Sequence, residues 1–317
     1  MYPSKKIWLP EAARRRRERV LHVDFQRSNG LGKYPSTTTV TRNSEINAPD
    51  ENGILQNYGA NALASSLAGM HTAEGRANSF FASRSFDNAT YWGVGTGSSP
   101  LPDIAKNATG IDGVANTAYT LTDSDNVNYE ILAQTVTVAN DSLPHCVSFY
   151  LKKNASTSYY PGATIKLSGG TTVQLTIMIN MSTGATTATT TTGTVSHYVE
   201  AVGNWWRITL VATNNTTGNV TLELRIAPGF GVSWGTGNPT TTGSIVVDWA
   251  QAENGRFSTL PIYTTTSTAT RESLDLIYAC PQGFVNDYYV FMEYDIGFSS
   301  AENDFWTRAI RGTDASD

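Results

Sequence analysis

The chain has 317 residues, of which 15% are charged and 40% hydrophobic, and a formal net charge of −5. Residues 1–20 hold seven basic side chains against two acidic ones, a net of +5, while the remainder holds 15 basic against 25 acidic, a net of −10. A basic arm invites a nucleic-acid, membrane or acidic-protein partner, but the acidic body argues against broad nucleic-acid binding, and the low charge fraction argues against disorder from charge excess.

The first expected element is a short basic helix over residues 11–21, which hold good helix formers after Pro10. It reads either as a solvated arm or as a docking peg. In the second reading Trp8 and Leu9 supply apolar anchors beside Arg14, Arg15, Arg16, Arg17 and Arg19. Residues 24–77 form an irregular transition segment, with short strands possible at 23–25 and 37–41. Gly30-Leu31-Gly32-Lys33 lacks the full spacing of a phosphate-binding loop. Residues 61–70 suggest one or two helical turns capped by Asn61.

From residue 78 the pattern is all-β. Apolar-rich runs at 117–122, 128–138, 145–153, 163–168, 172–180, 194–200, 205–213, 219–227 and 243–253 alternate with Gly, Asn and Thr turns. Val147, Phe149 and Leu151 share one face, as do Val173, Leu175, Ile177 and Ile179, and again Trp206, Ile208 and Leu210. A period of two marks sheets with one buried side, and this many strands predict a two-sheet jelly roll over 78–271. The Thr-rich stretch 183–194 reads as a loop or a threonine-faced strand, and 264–270 as a linker or edge strand. Residues 272–317 are a linker and the start of a second, lectin-like β unit near 284, too short to close alone. The fold class is therefore mostly β: a jelly-roll sandwich after an irregular segment with a short helix. The natural chain is expected either to be longer or to complete a sheet in a neighbouring subunit.

Five blocks, in order, resemble a recurring type of bacteriophage virion protein. They are Asp24-Phe25-Gln26-Arg27-Ser28 with Thr39–Arg42 and Asn52–Leu55; Glu74 to Asn88 ending in Trp92; Val147 to Lys152; Gly203 to Ile208; and Val247 to Thr259 with Pro261-Ile262-Tyr263 and Thr270-Arg271. Leu260-Pro261 and Phe80-Phe81 depart from the family pattern in ways that look like packing substitutions. The resemblance implies a jelly roll like the carbohydrate-binding accessory modules of glycanases, located in the virion as a tail fibre, head fibre or other appendage and made in the host cytoplasm. It also implies a homotrimer, other virion proteins (portal, collar, tail or capsid) as partners, and adsorption to host-surface glycans. Residues 1–23 lie outside it, and their docking role is read from their basic charges and apolar anchors, not from the resemblance. The alternative is a carbohydrate-binding accessory module of a glycan-degrading enzyme.

Sugar binding needs aromatic faces for C–H stacking, and the expected exposed candidates are Trp92, Tyr159, Tyr160, Trp205 and Trp234. Trp205 falls opposite the apolar Trp206 face, and Trp234 lies in a Gly-rich segment. Trp249 is expected to be structural, with Gln251 and Glu253 stitching strands together. Catalysis is not expected. Glu200, Glu223, Asp248 and Glu253 could pair as glycosidase carboxylates, but any β protein of this size offers such pairs. The four histidines are dispersed without a zinc motif, Cys146 reads as a buried thiol, and Asp123-Ser124-Asp125-Asn126 reads as a turn before a calcium loop. No cofactor or metal is expected. No secretory leader and no run of about 18 apolar residues is evident, so no membrane insertion is expected.

Overall fold

The computed structural model describes residues 38–66, 69–71, 74–95, 99–155, 158–273 and 275–278. The basic arm with its expected helix, Trp8 and arginines, the Asp24 block and the expected second β unit lie outside the described residues. No helix occurs among those that are described.

Six short strands lead in: β1 (Thr38–Thr41), β2 (Ile46–Pro49), β3 (Leu55–Tyr58), β4 (Ser65–Ser66), β5 (Gly69–Met70) and β6 (Arg76–Asn78). The sandwich follows as β7 (Asp103–Ala108), β8 (Ala118–Asp123), β9 (Leu132–Thr137), β10 (Pro144–Lys152), β11 (Tyr160–Ser168), β12 (Val173–Ile179), β13 (Thr186–Thr192), β14 (Val195–Val202), β15 (Trp205–Thr213), β16 (Thr221–Gly231) and β17 (Gly243–Asn254). The chain closes with β18 (Ala269–Arg271) and β19 (Asp275–Tyr278).

Two antiparallel sheets face each other. One has six strands in the order β14-β15-β10-β17-β8-β7, the other five in the order β13-β12-β11-β16-β9. The chain passes repeatedly from one sheet to the other, in the manner of a jelly roll. Each expected alternating face contributes to one core: Val147, Phe149, Leu151, Val173, Leu175, Ile177, Ile179, Ile208 and Leu210 are all buried in it. Burying each such side chain contributes about 1.5–3 kcal/mol, which is why the period-two pattern dictates the layering.

The helix expected over 61–70 does not form. Ser65-Ser66 pairs with Gly69-Met70, and Asn61 adopts φ 57° and accepts the Arg42 amide through Oδ1 at 2.9 Å. Tertiary bonding overrides helix propensity here: the buried Arg42 guanidinium donates to the carbonyls of Ser44, Tyr58, Gly59 and Ala62 and holds this stretch as loops and short pairs. The Thr-rich stretch is the edge strand β13, and Ala269–Arg271 pairs with β6.

Residues 46–58 lie on the outer face of the six-stranded sheet. Leu55 joins Ile111, Ala118, Tyr150, Val202, Trp205 and Trp249 in a second apolar cluster, and the Leu55 amide donates to the Ile111 carbonyl at 3.0 Å. A buried polar hub ties distant blocks together. Asn78 Oδ1 accepts the Phe80 and Ala252 amides, while its Nδ2 donates to the Ile262 and Ala250 carbonyls. Glu253 accepts the Thr259 amide and hydroxyl, Gln251 Oε1 accepts the Ile262 amide, and Arg271 donates to Thr259 Oγ1. Gln251 and Glu253 thus stitch β17 to the following loop.

Candidate glycan-binding site

Strand direction gathers residues 124–131, 153–155, 158–159, 180–185, 203–204 and 232–242 at one end of the sandwich. There β16 runs into a tight turn in which Ser233 bridges Thr236 and Gly235 takes φ 82°. The Gly235 amide points at Met178 Sδ, 3.3 Å away, anchoring the turn to β12. Trp234 therefore stands at the tip, 43% exposed. Its ring meets Tyr160 edge-on, with centroids 5.2 Å apart and planes at 68°. Tyr160 is half-buried at the start of β11, opposite Gly231.

A second aromatic layer supports this turn. Phe230 stacks on Tyr129 at 5.3 Å and 20°, and glycine at 162 and 237 leaves the space that the Phe230 ring fills. A third aromatic, Trp206, stands at the same end. Its indole donates to the Met181 carbonyl at 2.7 Å, Gly184 packs under the ring, and Lys153 Nζ lies 4.2 Å from its centroid. Tyr129, Phe230 and the Lys153–Trp206 pair were not among the sequence candidates. The glycines at 162, 184 and 237 are the local signal, since each sits where a ring comes close.

Three of the expected aromatics are not free. Trp92 is 2% exposed, packed by Phe80 and Phe86, and its indole donates to the Ala82 carbonyl at 3.1 Å. Trp205 does point away from the core face, yet it is 4% exposed, because it packs in the outer-face cluster with Leu55, Ile111, Tyr150 and Trp249. Alternation gave its direction and not its cover. Tyr159 packs against the core, over Gly243, and its hydroxyl donates to the Ser244 carbonyl.

The carboxylates expected as possible glycosidase pairs are largely engaged. Glu223 is bonded to Arg225 at 2.9 Å, Asp248 to Arg84, and Glu253 to Thr259, all three buried, while Glu200 is exposed. Cys146 is buried, donates to the Phe257 carbonyl at 3.2 Å, and burial pushes its thiol pKa up. His145 is buried between Asn254 and Asp141. In the 123–126 stretch, Asp125 Oδ1 accepts the Val127 amide at 2.7 Å and Asp123 Oδ1 the Asp125 amide at 3.2 Å, which is turn chemistry. Burial and the neighbouring Glu130 carboxylate push Asp123 up to about 7. Among the described residues no three His, Cys, Asp or Glu side chains converge as a metal site.

No family model matches this chain, and no curated protein does. Among solved structures it is similar to the carbohydrate-binding module TmCBM61 in complex with β-1,4-galactotriose, at 13% identity and a TM-score of 0.29, over 55% of this chain and 97% of that one.

Proposed function

We propose that this chain is a non-catalytic β-sandwich that binds glycans through its aromatic loop end and is carried on a phage particle as a fibre or appendage component. The observation that carries the binding role is Trp234, a large exposed indole fixed at a glycine turn and braced by Tyr160. An indole held rigid before the ligand arrives stacks on a sugar ring with little ordering cost. The half-buried Tyr160 and Trp206 extend the same end. Support for the virion setting is the ordered series of sequence blocks, together with the basic start of the chain.

A glycan array with the full chain and with Trp234→Ala tests the binding role. At least one glycan class is expected to be retained by the wild type and lost on substitution. A wild type that retains none, or a variant that binds equally, sinks it. Deleting residues 2–20 tests docking through the arm: particles that still incorporate the shortened protein normally would refute it.

A further inference from the structure

The four outer strands of the sandwich are guarded unequally. In the six-stranded sheet, β7 carries Asp103 and Lys106, and β14 carries Glu200. In the five-stranded sheet, β9 is covered: Ala133 bridges Gly93, and Gln134 exchanges hydrogen bonds with the Phe81 backbone. The remaining outer strand, β13, has β12 on one side and no strand on the other among the described residues. It reads Thr-Thr-Ala-Thr-Thr-Thr-Thr. No Asp, Glu, Lys, Arg or Pro occurs anywhere from Leu167 to Val199.

Soluble proteins block an open edge with charge, proline, a bulge or a cover, because its unpaired amides and carbonyls will accept another strand. Among the described residues β13 carries two such devices, the His197 ring bonded to Thr186 Oγ1 at 2.7 Å and a register shift opposite Thr176/Ile177. Both lie before the last three residues. Thr190, Thr191 and Thr192 pair regularly with Thr176, Leu175 and Gln174, and all three are exposed. A neutral run of one repeated residue is complementary to itself when turned antiparallel, and threonine is well suited to cross-strand pairs.

We propose that the Thr190–Thr192 edge of β13 docks antiparallel on the same edge of a second copy of this chain, joining two five-stranded sheets about a two-fold axis. The contact is isologous, so each copy supplies the same patch, and the two-fold pair stands in place of the homotrimer that the sequence resemblance implies. It is independent of the glycan reading, since it uses neither Trp234 nor Tyr160.

The test uses the full chain. Sedimentation over a concentration series is expected to show a shift from one-chain to two-chain mass, and amide exchange in 186–192 to slow with concentration. Thr190→Lys is expected to weaken the dimer at least tenfold, and mixing it with Thr190→Glu to restore pairing. Protection of 186–192 that ignores concentration would mean that another part of the same chain, or nothing, covers the edge, and would overturn the proposal. A three-chain mass, or a dimer indifferent to Thr190→Lys, would overturn it equally.

Discussion

Arg84 grips the fully buried carboxylate of Asp248 with two parallel hydrogen bonds, Nε to Oδ1 and Nη2 to Oδ2, each 3.0 Å long. The pair joins the 82–86 turn to the middle of β17. Asp248 also accepts the Ile111 and Trp249 amides at 3.1 and 2.9 Å, and Arg84 Nη1 reaches Asp112 at 2.8 Å. The guanidinium carbon lies 4.7 Å from the Trp249 ring, whose own residue adopts φ 44°. Burial raises the Asp248 carboxyl pKa even with Arg84 beside it.

Removing one partner should therefore cost more than removing both. Arg84→Ala leaves the buried Asp248 carboxylate with its two backbone amides but no counter-charge, and is expected to destabilise the fold by about 3–5 kcal/mol. Adding Asp248→Asn to that variant should recover part of the loss, because a neutral amide costs less to bury. Urea denaturation of the two single variants and the double variant checks this. A double variant no more stable than Arg84→Ala would show that the pair is not the cause.

The tryptophans should divide into two classes. Trp205→Ala empties a packed site between the six-stranded sheet and residues 46–58, and should cost about 3–5 kcal/mol. Trp234→Ala removes an exposed ring and should change stability by no more than about 0.5 kcal/mol. Of these two tryptophans, only Trp234 should govern glycan retention. Thermal melts alongside affinity electrophoresis separate the classes, and equal melting losses would contradict the assignment.

What could be read from the sequence tracks what is local. Alternation in Val147-Ser148-Phe149-Tyr150-Leu151 places three residues in the core because a strand's period is fixed by its backbone. The glycines flanking Trp234 announced an exposed turn for the same reason. Trp205 could not be read this way. Its partner Leu55 is distant in sequence, and only the tertiary fold brings it close. The 61–70 stretch misled for the same cause: its alanines and leucines favour a helix, but Arg42, far upstream, claims its backbone carbonyl at Ala62.

Acid should strengthen the loop end. Asp123, buried at the end of β8, is pushed up to about 7 by burial and by the Glu130 carboxylate, against an ordinary value of 3.8. The folded form thus holds its proton more tightly than the unfolded chain does. The stabilisation is complete below about pH 4 and is lost as pH rises through about 7. Each kcal/mol moves Tm by about 2–4 °C in a domain of this size. Melting is expected to rise from pH 8 to pH 5, with Asp123→Asn flattening this part of the profile. A variant whose slope matched the wild type would place the dependence elsewhere.

The lead-in segment should prove to be clamped to the sandwich by two glycines. Gly53 takes φ 77° and Gly203 φ 53°, and their backbones touch: a methyl added at Gly53 would run into the Gly203 amide. Gly53→Ala therefore meets two penalties, the left-handed conformation at about 1 kcal/mol and a backbone clash that no rotamer relieves. The turn also caps itself, since Asp50 Oδ1 accepts the Asn52 and Ile54 amides at 2.9 and 3.0 Å, so it cannot shift without losing those bonds. The variant should keep the period-two core but release residues 46–58, so amide protection should fall there more than in β10 or β17. Exposure of Trp205 should follow, read as a red shift in its fluorescence. Uniform loss of protection would mean that the segment and the sandwich unfold as one unit. Unchanged protection would mean that the Gly53–Gly203 contact does not hold the segment at all.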